Sequence, residues 1–336
     1  MSEDKKYNIL IVDDEEDNLA LLYRTLRHDY NVVKCLSAAE AMEKLKEMDF
    51  QLVISDHKMP HMSGVELLKY VYDNYPKTMR VLLTAYSEVP LLIDAINYAN
   101  IYRYIKKPFN PEELVMVVDG AIEYYLLKQD NENLIQDLNE LFSGTIKAIV
   151  EALDAKDSFT AGRSKRVTFY SVRLAQKMGL NEEQIGEIEI AGLLHDIGMI
   201  GISDELLSKV ETLTPEEINE IKKHVTYSVK ILDDIKHLKV IVEIIKHHHE
   251  YWDGNGYPDG IAGKDIPLAS RIIAIADAFD GMTSNRAYRK AKSPEEALAT
   301  IKELAGRQFD PNLVGQFELL FDDEEFKEFV NRQRTV

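Results

Sequence analysis

His195-Asp196-Ile197-Gly198 opens the stretch whose reading decides the fold. It passes His224 and closes with His247-His248-His249-Glu250-Tyr251-Trp252-Asp253-Gly254-Asn255-Gly256-Tyr257-Pro258. Six of the chain's nine histidines fall between positions 195 and 249. Imidazole is the commonest protein ligand for transition metals. Each cluster ends an apolar helical run: Ile190-Ala191-Gly192-Leu193-Leu194 precedes His195, and Val240-Ile241-Val242-Glu243-Ile244-Ile245 precedes His248. Asp277 lies in Arg271-Ile272-Ile273-Ala274-Ile275-Ala276-Asp277-Ala278, a helix too apolar to tolerate an unpaired carboxylate. A bound metal would resolve that cost. The stretch therefore reads as a polynuclear metal site carried by helices. Adjacent helical side chains point about 100° apart, so one of His195 and Asp196 can serve a metal while the other bridges two. Bridged metals about 3.5–4 Å apart are the arrangement of hydrolases that attack phosphate esters. Imidazole and carboxylate without thiolate suit Fe, Mn, Zn or Ni. His224 alone reads as an ordinary core histidine, and His237 and His247 as structural.

Outward from this stretch, strand signals are absent after residue 145. Helical patterns cover 145–156, 164–178, 182–195, 215–233, 238–250, 268–284 and 294–305. Thr214-Pro215-Glu216-Glu217 and Ser293-Pro294-Glu295-Glu296 are helix starts, with an N-cap, proline in the first turn and acids behind it. Residues 310–336 read as a charged helix or tail without evident chemistry.

The N-terminal part has another rhythm. Short apolar runs at 7–12, 32–33, 52–55, 80–83 and 102–105 alternate with helical patterns. This predicts an α/β doubly wound parallel sheet of five strands. Asp13, Asp14, Asp56, Thr84 and Lys107 all end strands, where such sheets carry their sites. Converging carboxylates need a cation, and oxygen ligands suit Mg²⁺. Asp56 is then placed to attack a phosphoryl group, with Lys107 and the metal neutralising charge. The plainer alternative is that each acid caps the following helix.

Composition bounds the rest. A chain of 336 residues has room for two domains or three small ones. Its net charge of −18 argues against extended nucleic-acid binding. The single cysteine, Cys35, excludes a disulfide framework and suits a reducing cytoplasm. No apolar run approaches the ~20 residues of a membrane span, and the charged N-terminus is unlike a signal peptide. The expected location is cytoplasmic.

Leu127, Leu134 and Leu141 are seven apart, with Leu138 between the last two. Residues 121–150 therefore read as a helical linker with a short coiled-coil seam that dimerises the chain. A single amphipathic helix packed on its own domain is the alternative.

Residues 7–122 resemble the receiver domain of two-component response regulators. The motifs are Asp13-Asp14, Asp56-His57-Lys58-Met59-Pro60-His61-Met62-Ser63-Gly64, Thr84-Ala85 and Lys107-Pro108-Phe109. The resemblance implies phosphorylation of Asp56 by a histidine kinase. It implies Mg²⁺ held by Asp13, Asp14, Asp56 and the Lys58 carbonyl, with Thr84 and Tyr104 as the switch pair.

Residues 145–320 resemble the HD-GYP branch of the HD-domain metal-dependent phosphohydrolases. The carriers are His195-Asp196-Ile197-Gly198, His248-His249-Glu250, Trp252-Asp253-Gly254, Gly256-Tyr257-Pro258, Ile266-Pro267, Asp277, Asp280, Arg286, Tyr288, Arg289 and Phe309-Asp310-Pro311. The resemblance implies hydrolysis of cyclic di-GMP to pGpG or GMP. Its ligands would be His195, Asp196, His224, His248, His249 and Asp277, with Asp196 bridging and Fe or Mn as the metal. Arg286 and Arg289 would hold phosphates, and Gly256, Tyr257 and Pro258 would border substrate or partner. Three positions depart from the family: Met199 replaces a lysine, Arg163 a histidine and Asp154 a glutamate. Met199 removes a cation expected near the substrate phosphate, and Phe159 and Arg163 in the upstream segment favour two metals, with a third left open.

The expected organisation is a receiver domain at 1–122, a helical linker at 123–145 and an HD-GYP domain at 146–336. The expected function is a phosphorylation-controlled cyclic di-GMP phosphodiesterase. The alternative is a metal-holding cyclic-dinucleotide sensor with weak or no turnover.

Overall fold

The computed structural model describes residues 7–85, 97–156, 162–209, 211–284 and 290–333. The chain divides into two compact units, Met1–Asn139 and Glu140–Val336.

The first unit is the expected doubly wound sheet. Its strands are β1 (Asn8–Val12), β2 (Asn31–Cys35), β3 (Leu52–Asp56), β4 (Met79–Ala85) and β5 (Arg103–Lys107), all parallel in the order β2-β1-β3-β4-β5. Helices α1 (Glu16–Leu26), α2 (Ala38–Glu47) and α3 (Gly64–Asn74) alternate with them. Strands buried on both faces need apolar side chains on both. Ile9, Ile11, Ile54 and Val81 pack with Leu19 and Leu22 of α1, whereas Leu10, Val12, Val53 and Leu82 pack with Ala41 of α2 and Leu68 of α3. This alternation places Asp13, Asp56, Thr84 and Lys107 together at the carboxyl ends.

Helix α4 runs without a break over Pro111–Lys156, far beyond the linker read from the sequence, and the division between the units falls within it. Proline opens it and Glu112 and Glu113 fill its first turn, which suits the N-terminal dipole. Its start supplies Leu114, Val117 and Val118 to the core of the first unit, and its end supplies Ile146 and Val150 to that of the second. Between them Leu127, Leu134, Leu138 and Leu141 stand 55–68% exposed on the single chain.

The second unit is helical: α5 (Arg163–Lys177), α6 (Glu182–Leu194), α7 (Asp204–Leu207), α8 (Pro215–Lys222), α9 (His224–Leu232), α10 (Lys239–Lys246), α11 (Leu268–Thr283), α12 (Pro294–Glu303), α13 (Pro311–Glu318) and α14 (Glu324–Gln333). Two sequence expectations change. The run 215–233 is two helices that break at Lys223, and the helix expected over 238–250 stops at Lys246, leaving three histidines in the turn beyond. The C-terminal segment is no bare tail, because Phe326 and Val330 are buried in the same core as Phe279 and Phe317.

Candidate metal centre

The site is built where helices end. His195 follows α6, His224 opens α9 and His248 follows α10. Helix ends leave carbonyls without partners, and the imidazoles use them. His195 Nδ1 bonds the Gly192 carbonyl at 2.8 Å, His224 Nδ1 that of Ile221 at 2.8 Å, and His248 Nδ1 that of Ile245 at 2.6 Å. Only a protonated Nδ1 can donate to a carbonyl, so in the neutral ring the lone pair sits on Nε2. All three Nε2 atoms are buried without a hydrogen-bond partner. A buried polar atom left this way is costly. A ring tethered through one nitrogen and bare at the other is the arrangement of a metal ligand.

The bare nitrogens meet carboxylates. His195 Nε2 lies 3.1 Å from Asp196 Oδ2 and 3.4 Å from Asp277 Oδ1, and His224 Nε2 lies 3.5 Å from Asp196 Oδ1. The His248 and His249 rings are 3.9 Å apart, and His224 is 5.1 Å from His249. Two sets of ligand atoms are each close enough to hold one ion: Asp196, His224, His248 and His249, and His195, Asp196 and Asp277. Asp196 belongs to both, one oxygen towards each. The residues present therefore fit a two-metal centre.

Electrostatics divide the rings. Burial, reinforced by His195 and His224, pushes His248 down to about 4 and keeps it neutral. Burial likewise lowers His249. Burial also disfavours a charge on His195, but Asp196 and Asp277 outweigh it and raise the ring to about 10, so its Nε2 holds a proton against these carboxylates whenever no metal ion takes that place. Both carboxylates stay well below their usual range despite burial, Asp196 chiefly through His195 and Arg163, and Asp277 chiefly through Arg163.

The surrounding motifs brace this cluster. Gly198 N donates to Ser228 Oγ at 2.9 Å, docking the 3-10 turn Ile197–Gly201 onto α9. The buried Glu250 accepts the amides of Asp259 and Gly260 at 2.7 and 3.0 Å, holding the loop after Tyr257-Pro258. Tyr257 stacks on His249 with centroids 4.9 Å apart. Asp310 caps α13 and accepts Arg271 at 2.8 Å, and Arg271 in turn lies over Trp252. His247 pairs with Asp259 at 3.2 Å and His237 is exposed, so neither enters the centre. Phe159, Arg286, Tyr288 and Arg289 lie outside the described residues.

Two residues had no such part in the sequence reading. Arg163, noted only as a departure, reaches Asp277 Oδ1 at 2.6 Å and Asp196 Oδ2 at 3.3 Å. Lys222 sits 4.9 Å over the Tyr257 ring, so a cation borders the site although residue 199 is methionine. The one signal for Lys222 was its place two residues before His224.

In the first unit Lys107 Nζ bonds Asp13 Oδ2 at 2.8 Å and also bonds Asp56. Asp56 Oδ2 accepts the Lys58 amide at 2.9 Å, and Asp13 accepts that of Glu15 at 2.9 Å. Thr84 is buried on β4, Tyr104 is half-buried on β5, and Asp14 is exposed beside Asp13. Gly64 is required here, because a Cβ would lie 1.9 Å from the Asp56 carbonyl oxygen.

A phosphoacceptor-type sheet joined to a helical histidine–aspartate centre defines the class: a response regulator with an HD output domain. The model of the response regulator receiver domain matches residues 9–119, and that of the HD domain matches 147–313. A cyclic di-GMP phosphodiesterase of Thermotoga maritima is 30% identical over 347 residues, covering 97% of this chain and 93% of its own. The cyclic di-GMP phosphodiesterase response regulator RpfG of Xanthomonas campestris is 30% identical over 328 residues, covering 91% and 86%. A 3'3'-cGAMP-specific phosphodiesterase 2 of Vibrio cholerae is 38% identical over 225 residues, covering 65% and 42%. This chain belongs to the family of response regulators that join a receiver domain to an HD domain.

Proposed function

We propose that this chain hydrolyses cyclic di-GMP to linear pGpG, to GMP or to both, under control of phosphorylation at Asp56. The observation that carries the reading is the set of tethered imidazoles, bare at Nε2, around one shared carboxylate. The ligands are His195, Asp196, His224, His248, His249 and Asp277, for two ions of Fe or Mn. Divalent metals, when bound, supply an activated water and neutralise phosphate charge. The chain's own part is to hold the rings rigid, to split Asp196 between the two positions, and to close one side with Tyr257. Gly256, Tyr257 and Pro258 border the substrate, and Arg286 and Arg289 are assigned to its phosphates. The named activities of full-length relatives support this substrate class.

The receiver is placed at 1–122, the linker at 123–145 and the HD-GYP domain at 146–336. Mg²⁺ would be held by Asp13, Asp14, Asp56 and the Lys58 carbonyl, with Thr84 and Tyr104 as the switch and a histidine kinase as phosphodonor. Among the described residues no helix is long and apolar enough to cross a membrane, and we place the protein in the cytoplasm.

The test is anaerobic purification with elemental analysis, then product chromatography with cyclic di-GMP and 3'3'-cGAMP in Fe²⁺ or Mn²⁺. The expected result is pGpG or GMP from cyclic di-GMP only with metal loaded. Full metal occupancy with no product from either dinucleotide would sink the enzyme reading. It would favour a metal-holding sensor, the second reading, which Met199 and the carboxylate contacts of Arg163 support.

Control is proposed to pass through α4. Its exposed leucine stripe makes a second copy of the chain the fitting partner. Sedimentation should find a dimer that the pair Leu134→Glu and Leu141→Glu dissociates. Beryllofluoride should change either the dimer's strength or its turnover. A monomeric parent refutes the seam, and indifference to beryllofluoride refutes control through Asp56.

A further inference from the structure

The two halves of the centre are unequal. On the His195 side the converging oxygens are Asp196 Oδ2 and Asp277 Oδ1. Arg163 engages these same two atoms, through Nε at 3.3 Å and Nη2 at 2.6 Å. Its side chain is only 15% exposed and starts α5, whose core residues Val167 and Tyr170 fix the backbone. The next arginine on that face, Arg166, has another post: it grips Asp280 at 2.6 and 3.1 Å. On the opposite side Asp196 Oδ1 faces His224, with His248 and His249 completing the set.

A guanidinium does not lose its proton in proteins, so it can leave these oxygens only by moving. Formal charge sharpens the point. The two carboxylates carry −2, while one divalent ion plus the guanidinium already brings +3. A second divalent ion beside both would meet uncompensated repulsion in a buried site, where charges are poorly screened.

We propose that Arg163 is a resident cation of the His195–Asp196–Asp277 position. The chain holds one divalent ion tightly at Asp196, His224, His248 and His249, and takes a second only by displacing the guanidinium. This rests on the metal-centre reading above but not on turnover.

The test is a Mn²⁺ titration after chelator treatment, read by equilibrium dialysis with elemental analysis. The parent is the full chain carrying Asp14→Asn and Asp56→Asn, which take the receiver's own divalent site out of the count. The parent should bind one equivalent tightly and a second at least about tenfold more weakly, as expected where an established charge pair must first be broken. Arg163→Gln should tighten the second equivalent by about tenfold or more without changing the first. Two equivalents of equal affinity in the parent, or an unchanged second constant in Arg163→Gln, overturns the proposal. Should that variant fail to fold, His195→Ala decides: loss of the weak equivalent alone supports the proposal, and loss of the tight one overturns it. A parent that binds no Mn²⁺ overturns both this proposal and the metal centre. Absence of cyclic di-GMP hydrolysis at the expected stoichiometry counts against the activity alone.

Discussion

Replacing Asp196 with asparagine is expected to lower cyclic di-GMP turnover by about a thousandfold or more, the ~4 kcal/mol that metal activation of water and phosphate supplies. It is also expected to strip metal from both positions. The reason lies in the two oxygens. Oδ1 faces His224 and Oδ2 faces His195, so a single carboxylate belongs to both ligand sets. An amide offers one neutral oxygen and presents N–H donors where the other had accepted. Asparagine matches the shape, so the helical unit should still fold. Turnover and elemental content, read beside the melting curve, check this. A folded Asp196→Asn protein with parental metal content would show that Asp196 bridges nothing.

Gly198→Ala is expected to destabilise the helical unit by about 3 kcal/mol or more, at the upper end for overpacking. A Cβ there would lie 1.9 Å from the His224 carbonyl oxygen and 2.5 Å from the Ser228 amide nitrogen. Both atoms are backbone, so no side chain can swing away. Either the 3-10 turn lifts or α9 retreats, and the two carry His195–Asp196 and His224 respectively. The variant should lose metal as well as stability. Gly186→Ala is the internal control: nothing lies within 4 Å of its Cβ, so the change should be neutral or gain about 0.5–1 kcal/mol. Thermal and denaturant melts would decide, and a Gly198→Ala protein as stable as Gly186→Ala would refute the close-approach argument.

The sheet was legible because its signals are local. Each strand is an apolar run ended by a polar residue, and the register follows from burial on two faces. The histidines were legible for a similar reason, since they sit beside apolar helical runs. What the pattern concealed depends on distant pairing. Arg163 meets a carboxylate 114 positions away, and no spacing rule links them. Lys222 earns its place only through the fold of the Tyr257 loop. The stop of α10 at Lys246 was hidden too, since neither glycine nor proline follows; there the His247 and His248 rings take carbonyls of the last turn. The full length of α4 escaped because the heptad reading weighed only its middle, although Pro111 marks its start. Taken alone, His224 read as an ordinary core residue, and only the family resemblance made it a ligand; in the fold the helix breaks at Lys223 and His224 Nε2 lies 3.5 Å from Asp196 Oδ1.

The three tethers share one offset: each Nδ1 binds the carbonyl three residues earlier. Within such a unit ring and anchor keep one register, so substitutions along the outer faces of α6, α8 and α10 leave the lone pairs aimed as before. Length is another matter. One residue inserted between anchor and ring would turn the imidazole by about 100° and carry it about 1.5 Å along the axis. These helix ends should therefore accept changes of letter and reject changes of count, whereas the exposed middle of α4 should accept whole heptads.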